Sequence, residues 1–144
     1  MALTKVNRGG LNTGISDSSD ATFLTVDSSE QAVIKSEGGA VTTSVQQGLA
    51  KAWVNFNGTG TIAARDSLNL SSLSDGGTGD YTVNFSSSFN AADYCISGTA
   101  GGNRFLSPSN GSETSSSVRV RSQYGDVAYA DSTLTCPHIT GDLA

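Results

Sequence analysis

At Lys51 the sequence begins to alternate. Ala52, Val54 and Phe56 fall on one parity and Trp53, Asn55 and Asn57 on the other, the period of a strand whose successive side chains point to opposite faces. Asn57-Gly58-Thr59-Gly60 supplies turn residues. Thr61 to Leu70 then resumes, with Ile62, Ala64, Leu68 and Leu70 on one parity and Arg65 opposite them, as in a half-buried antiparallel strand. Ser74 to Asp80 reads as a turn, and Tyr81, Val83 and Phe85 alternate behind it. Tyr94 and Ile96 share a face. Val118 and Val120 alternate with Arg119 and Arg121, and Thr133 to Thr140 closes the series with Leu134 and Cys136 aligned. About six strands joined mainly by turns predict an all-β chain built on an antiparallel β-sandwich of roughly ninety residues.

Composition agrees with that pattern. Only 15% of residues are charged, while 17 glycines and 23 serines favour turns over exposed helix faces. At 144 residues the chain fits one compact domain and an appendage. A net charge of -5 opposes binding to nucleic acid or an anionic membrane through bulk charge. No apolar run approaches the roughly 18 residues of a membrane span, and residues 1 to 24 lack the apolar stretch of a secretory signal. Membrane insertion is therefore not expected. Cys95 and Cys136 are too few for a disulfide framework and stand outside zinc spacing, so they read as buried thiols in strands, with a single disulfide between them as the alternative.

Residues 1–40 differ from the rest of the chain. Leu3, Val6, Leu11, Ile15, Phe23, Leu24 and Val26 are scattered among Gly, Ser and Asp, and no single face is long enough to build a core. Strand-like pieces at Phe23 to Val26 and Gln31 to Lys35 bury themselves only by pairing with another chain or lying on another protein's surface, which marks a docking segment. A disordered tail has the same composition and stays open as an alternative. Residues 41–52 place Val41, Val45, Leu49 and Ala52 at three- and four-residue steps, enough for one or two helical turns of a linker or stem. So short a helix needs packing partners, most simply its own copies around a symmetry axis. Residues 53–144 form the sandwich, whose few large apolar residues give a modest core. Burial between identical subunits offsets that shortfall. Val45, Leu49 and Trp53 are the candidates for a homotrimer interface, with the monomer's own core equally open to Trp53.

Little in the chain suggests catalysis. His138 is the only histidine, with no Cys or second His at ligand spacing, so neither a metal site nor a Ser/His/Asp arrangement is expected. Asp126 and Asp131 form no more of a pair than any Asp-rich loop offers. No cofactor, metal or catalytic residue is predicted, and the chain reads as a non-enzyme.

Lys51-Ala-Trp-Val-Asn-Phe-Asn-Gly-Thr-Gly-Thr-Ile-Ala-Ala-Arg-Asp-Ser-Leu-Asn-Leu-Ser-Ser-Leu, Gly77-Thr-Gly-Asp-Tyr-Thr-Val-Asn-Phe and Asn90-Ala-Ala-Asp-Tyr resemble the distal domain of tail fibres from tailed bacteriophages, particularly marine ones. The likeness covers most of residues 51 to 100 and returns at Val118-Arg-Val-Arg and in the closing strand. Leu3-Thr-Lys-Val-Asn-Arg-Gly-Gly-Leu looks like the start of many phage fibre chains. Pro137-His138 departs from relatives, whose closing strand tends to run through with aliphatics, and puts its pairing in question.

The resemblance implies a trimeric antiparallel sandwich, similar to the H-type lectin arrangement, at a fibre tip contacting host surface glycans. It implies a virion protein assembled in the host cytoplasm. Residues 1–40 would attach to other virion proteins, tail or head, with Leu3, Val6, Arg8, Leu11 and Ile15 as attachment candidates. A head fibre, decoration or tail-knob protein without a receptor is the alternative, and a glycan-depolymerising tailspike a second one.

Sugars present apolar C–H faces and hydroxyl edges, so their binding combines aromatic platforms with polar side chains in exposed loops. Arg104 and Phe105, in the long polar stretch from Asn103 to Ser117, and Tyr124 and Tyr129, in the last loop, fit that description. They are the receptor-contact candidates, and local packing beneath their own loops is the competing role. Arg119 and Arg121 share a parity and need solvent or counter-charges such as Asp126 or Glu113.

Overall fold

The computed structural model describes residues 14–16, 22–26, 28, 32–35, 42–125 and 128–144. It divides into two compact units between Leu49 and Ala50. The sequence reading places a linker over 41–52 and starts the sandwich at 53.

The N-terminal unit contains β1 (Gly14–Ser16), β2 (Thr22–Val26), β3 (Ala32–Lys35) and β4 (Thr42–Ser44), followed by one helical turn, α1 (Val45–Gly48). The four strands form one antiparallel sheet in chain order. This corrects the expectation that the pieces around Phe23 and Val33 pair only with another chain. They pair with each other, Leu24 opposite Ile34 and Thr25 opposite Val33, and so satisfy one another's backbone groups.

The second unit is an all-β sandwich of eight strands rather than six. One sheet has the order β10 (Phe105–Pro108), β11 (Ser117–Gln123), β8 (Asp80–Phe85), β7 (Leu70–Gly77); the other has β6 (Ala63–Leu68), β5 (Ala50–Asn57), β12 (Thr135–Thr140), β9 (Cys95–Ala100). Every pairing within them is antiparallel. Their inner faces meet in one core: Ala52, Val54, Phe56 and Ile139 from one sheet, Tyr81, Val83, Phe85, Val118 and Val120 from the other, and Phe89 beside them. Phe56 and Tyr81 touch edge to face, centroids 5.0 Å apart, the arrangement the ring quadrupoles favour.

The two strands the sequence hides have physical reasons to be hidden. In β7, Leu70 and Leu73 both turn inward although they stand three residues apart, because the register shifts between Leu70 and Ser72. That bulge erases the alternation that marks a strand. β10 is a four-residue edge strand ending in Pro108, inside a stretch whose composition reads as loop.

A second bulge, at Arg65, lies where β6 runs from Asp66 opposite Asn55 to Ala64 opposite Phe56. It reverses the expected parity, so Ala64 stands opposite the inward Phe56, although all of β6 stays exposed, while Leu68 faces out opposite Trp53. Pro137 does not disrupt the closing strand. β12 is an inner strand whose ladder with β9 runs unbroken from Thr135 to Thr140, and the β5 side lacks only the pairings at Cys136 and Pro137.

Trp53 therefore leaves the core. It sits half-buried on the outer face of its sheet, beside Leu68 and His138, which overturns the own-core reading. Val45 is half-buried in α1 and Leu49 is exposed, both in the other unit. Cys95 and Cys136 are free and lie in strands, but neither is buried as expected: Cys95 is exposed and Cys136 half-buried, both on that outer face. Cys95 pairs with Thr140 and Cys136 with Thr99. The thiols thus stand four residues apart along the ladder, about 13 Å, beyond the reach of a disulfide. Burial raises the pKa of the Cys136 thiol, against the opposing pull of Arg65.

Candidate functional site

The sandwich has two ends, and the strand directions decide what gathers at each. Chain entry at Ala50, the β6–β7 corner at Asn69, the start of β9 and the end of β12 lie at one end. At the other lie the end of β5, the β7–β8 turn, the β9–β10 connection and the segment between β11 and β12. All four receptor-contact candidates fall at this second end.

Phe105 opens β10 and pairs with Gln123, the last residue of β11. Gln123 also bridges to Tyr129. The Arg104 guanidinium lies over the Tyr124 ring, 4.9 Å from its centroid, and donates to the Tyr124 hydroxyl at 3.0 Å. Arg121 lies over the Tyr129 ring at 5.1 Å. Phe105 is 64% exposed, Tyr129 44% and Tyr124 40%, so the rings remain open to solvent instead of being buried beneath their loops. Arg104 behaves differently: it is half-buried and donates to the carbonyls of Gly101 at 3.0 Å and Gly102 at 3.4 Å. Its role is to hold Tyr124 rather than to reach outward.

The scaffold beneath the rings is built from backbone bonds and one carboxylate. Tyr124 N donates to Ala128 O at 2.9 Å, Ala130 N to Ser122 O at 3.0 Å, and Ser122 N to Gly79 O at 2.8 Å. Asp131 Oδ1 accepts from Gly79 N at 2.7 Å and lies 2.9 Å from the Tyr81 hydroxyl, which is also 3.0 Å from Gly58 O. One hydroxyl proton thus lies between two acceptors, tying the last loop to both sheets. Burial, then the hydrogen bond and charge of Asp131, raise the Tyr81 pKa well above its ordinary value. Gly79 has φ +65°, and a Cβ there would meet Ser122 O at 2.5 Å and Ala130 N at 2.6 Å. Only glycine fits that close passage. Asp131 is a strut here, and Asp126 lies outside the described residues.

Arg119 and Arg121 stay partly in solvent and find their counter-charge in Asp80 rather than Glu113, a residue the sequence reading leaves in a turn. Asp80 faces outward from β8, opposite Arg121, and is 6% exposed beneath the two guanidiniums. Arg119 binds it through two donors, Nε to Oδ1 at 2.6 Å and Nη2 to Oδ2. Arg121 Nε stands 3.7 Å from Oδ2. The only signal for this partner was parity: in register, Asp80 falls beside the outward arginines of β11.

A cleft of about 430 Å³ at the other end, lined among others by Asp93, Tyr94, Ile96, Pro108 and Glu113, was missed entirely. Its residues come from two segments, 92–96 running into β9 and 108–113 running out of β10, that no sequence spacing joins. His138 is exposed on the outer face of the opposite sheet, near Ser97. Among the described residues, no group of three or more His, Cys, Asp or Glu is placed to hold a metal ion, and no helix is long and apolar enough to cross a membrane. Of the attachment candidates, Leu3, Val6, Arg8 and Leu11 lie outside the described residues, and Ile15 falls in β1 opposite Leu24. No protein-family model, curated protein or solved structure matches the chain.

Proposed function

We propose that the chain is a non-enzymatic structural subunit of a tailed-bacteriophage virion, a tail fibre or spike. Residues 1–40 attach it to other virion proteins, and the sandwich contacts host surface glycans. The observation that carries this reading is that Arg104, Phe105, Tyr124 and Tyr129 converge on the end of the sandwich opposite chain entry at Ala50. A module tethered through its N-terminus presents that end outward, and three exposed rings among polar side chains suit the apolar faces and hydroxyl edges of sugars. The sequence likeness over residues 51 to 100 supports the virion context.

Homotrimerisation belongs to the same proposal. The outer face of the β6-β5-β12-β9 sheet, with Trp53 opposite Leu68, is the surface on which copies pack. Purified full-length protein should block phage adsorption to host cells, and Phe105→Ala with Tyr124→Ala should abolish the block while leaving thermal unfolding unchanged. Failure of the unaltered protein to bind host cells would remove the receptor role. Location of the protein on the capsid would favour the head-fibre alternative.

A further inference from the structure

The end that carries the rings also gathers most of the sandwich's cationic side chains. Of the eight Lys and Arg in the chain, five lie in the sandwich, at Lys51, Arg65, Arg104, Arg119 and Arg121, and three of these meet around the platform. With Asp75, Asp80 and Asp131 at the same end, the named charges there balance, against a net charge of -5 for the whole chain. The described carboxylates nearby do not pair with the cations evenly. Asp75 accepts from Gly77 N at 2.8 Å, and Asp131 from Gly79 N at 2.7 Å, so each is turned toward the β7–β8 turn. Asp80 faces two guanidiniums at once and binds Arg119 as a fork. Arg121 is left with a longer contact of 3.7 Å, and its buried Nε has no hydrogen-bond partner. The same guanidinium lies over the Tyr129 ring, 5.1 Å from its centroid, and a guanidinium matches a planar carboxylate through paired N–H donors.

From this we infer that the platform takes a carboxylate-bearing sugar, a glycan containing uronic acid, with Arg121 as the residue that selects the acid. The inference rests on the reading of this end as the recognition surface. The C–H face of the pyranose lies on Phe105 and the tyrosine rings, and the carboxylate lies against Arg121. A neutral sugar would satisfy the rings and leave the second cation facing Asp80 uncompensated. The outward residues beside the platform, Ser107 on β10, Thr82 on β8 and Ser74 on β7, offer hydroxyls to the next sugars of a chain laid across the strands.

Polygalacturonate, its methyl ester and dextran sulfate, titrated against the full-length protein, separate the terms. The acid polymer is expected to bind, and the ester, which keeps the backbone and loses the charge, to bind about tenfold or more weakly, as loss of a charge-assisted pair implies. Arg121→Gln should weaken the acid polymer by a similar factor and leave the ester unchanged. Arg121→Lys, which keeps charge but loses the fork, should fall between. Lys35→Gln removes a cation from the other unit and should do nothing. Equal binding of acid and ester, or acid binding indifferent to Arg121→Gln, would overturn the inference. So would dextran sulfate binding as tightly without dependence on Arg121, which would mean attraction by bulk charge. If none of the polymers binds while adsorption to host cells persists and is lost in Phe105→Ala, the acid-sugar assignment falls and the receptor reading stands; if host binding is absent too, both fall.

Discussion

The two sheets of the sandwich share one core and turn unlike faces outward. From β10-β11-β8-β7 project Ser107, Arg119, Arg121, Asp80, Thr82, Asn84, Ser72 and Ser74, with Phe105 at one corner. From β6-β5-β12-β9 project Trp53, Leu68, Ala63, Cys136, Cys95 and His138. The first face is hydroxyls and paired charge, and aromatic rings mark its end remote from chain entry. The second sets Trp53 and Leu68 among Asn55, Asn57, Asp66 and Arg65 and carries both thiols. Inner faces this similar leave the outer ones free to diverge, because alternation separates packing from surface chemistry at every other residue.

The largest effect that distinguishes the two faces is expected at Gly79. Gly79→Ala places a Cβ against Ser122 O and Ala130 N at a positive φ. Left-handed backbone and overpacking together cost about 2–4 kcal/mol. Chemical denaturation measures the loss. The damage should concentrate at the aromatic end, since Gly79 seats the segment that carries Tyr129. Hydrogen exchange that quickened equally in β5 and β12 would contradict that local picture.

Tyr81→Phe is milder and probes the same link from inside the core. It removes one hydroxyl between Gly58 O and Asp131 Oδ1 while keeping the ring against Phe56. A loss of about 1–2 kcal/mol follows from one buried hydrogen bond with an acceptor left behind. Host-cell binding should weaken with it, because Asp131 follows Tyr129 by two residues. Unchanged binding would show that the rings do not depend on the strut.

How much of this was legible depends on alternation surviving in the chain. Where it is unbroken, as in Ala52 to Phe56 or Val118 to Arg121, parity gives strand, core face and outward arginines together. Where an extra residue enters, as at Arg65 or after Leu70, the same reasoning assigns Leu68 to the wrong face and misses β7. The four platform residues were identifiable by type, being aromatic or cationic in polar loops. Their convergence was not, since it follows from β10 pairing beside β11, and β10 is too short and too polar to announce itself. Asp80 was hidden for a related reason: a carboxylate beside Gly77 and Gly79 looks like turn chemistry until the register sets it under two arginines.

For the face that carries Trp53 the effect on the single chain is smaller still. Trp53→Ser, which removes cross-strand contacts to Leu68 and His138, should lower the stability of one chain by about 1 kcal/mol. If copies pack there, light scattering of the full-length variant should show the mass dropping from three chains to one. The thiols give an independent reading. Cys95 is exposed and should alkylate quickly; Cys136, half-buried with a raised pKa, should be slower. Packing of copies would slow both, and Trp53→Ser would restore the fast rate. A variant that keeps both the mass and the slow thiols would clear this face of any role in assembly.

The gentlest test concerns Tyr94, at the end where the chain enters. Its hydroxyl donates toward Ser117 O at 2.8 Å and Thr114 O at 3.0 Å. Burial, and then the Glu113 charge, push its pKa up to about 12, against the lowering effect of Thr114. The folded state therefore holds this proton more tightly than the unfolded chain, whose tyrosine titrates near 10. The stabilisation is fully present below about pH 10 and declines as pH rises toward 12, because the unfolded chain ionises first. Tyr81 is raised in the same direction, so both tyrosines contribute to an alkaline loss of stability. Glu113→Gln should lower the Tyr94 pKa and shift its share of that loss, while Asp131→Asn should do the same for Tyr81 at the opposite end. Spectroscopic titration of tyrosinate in the two variants separates the ends. If neither substitution moves a tyrosine pKa, burial alone sets them and the carboxylates exert no effect across the sandwich.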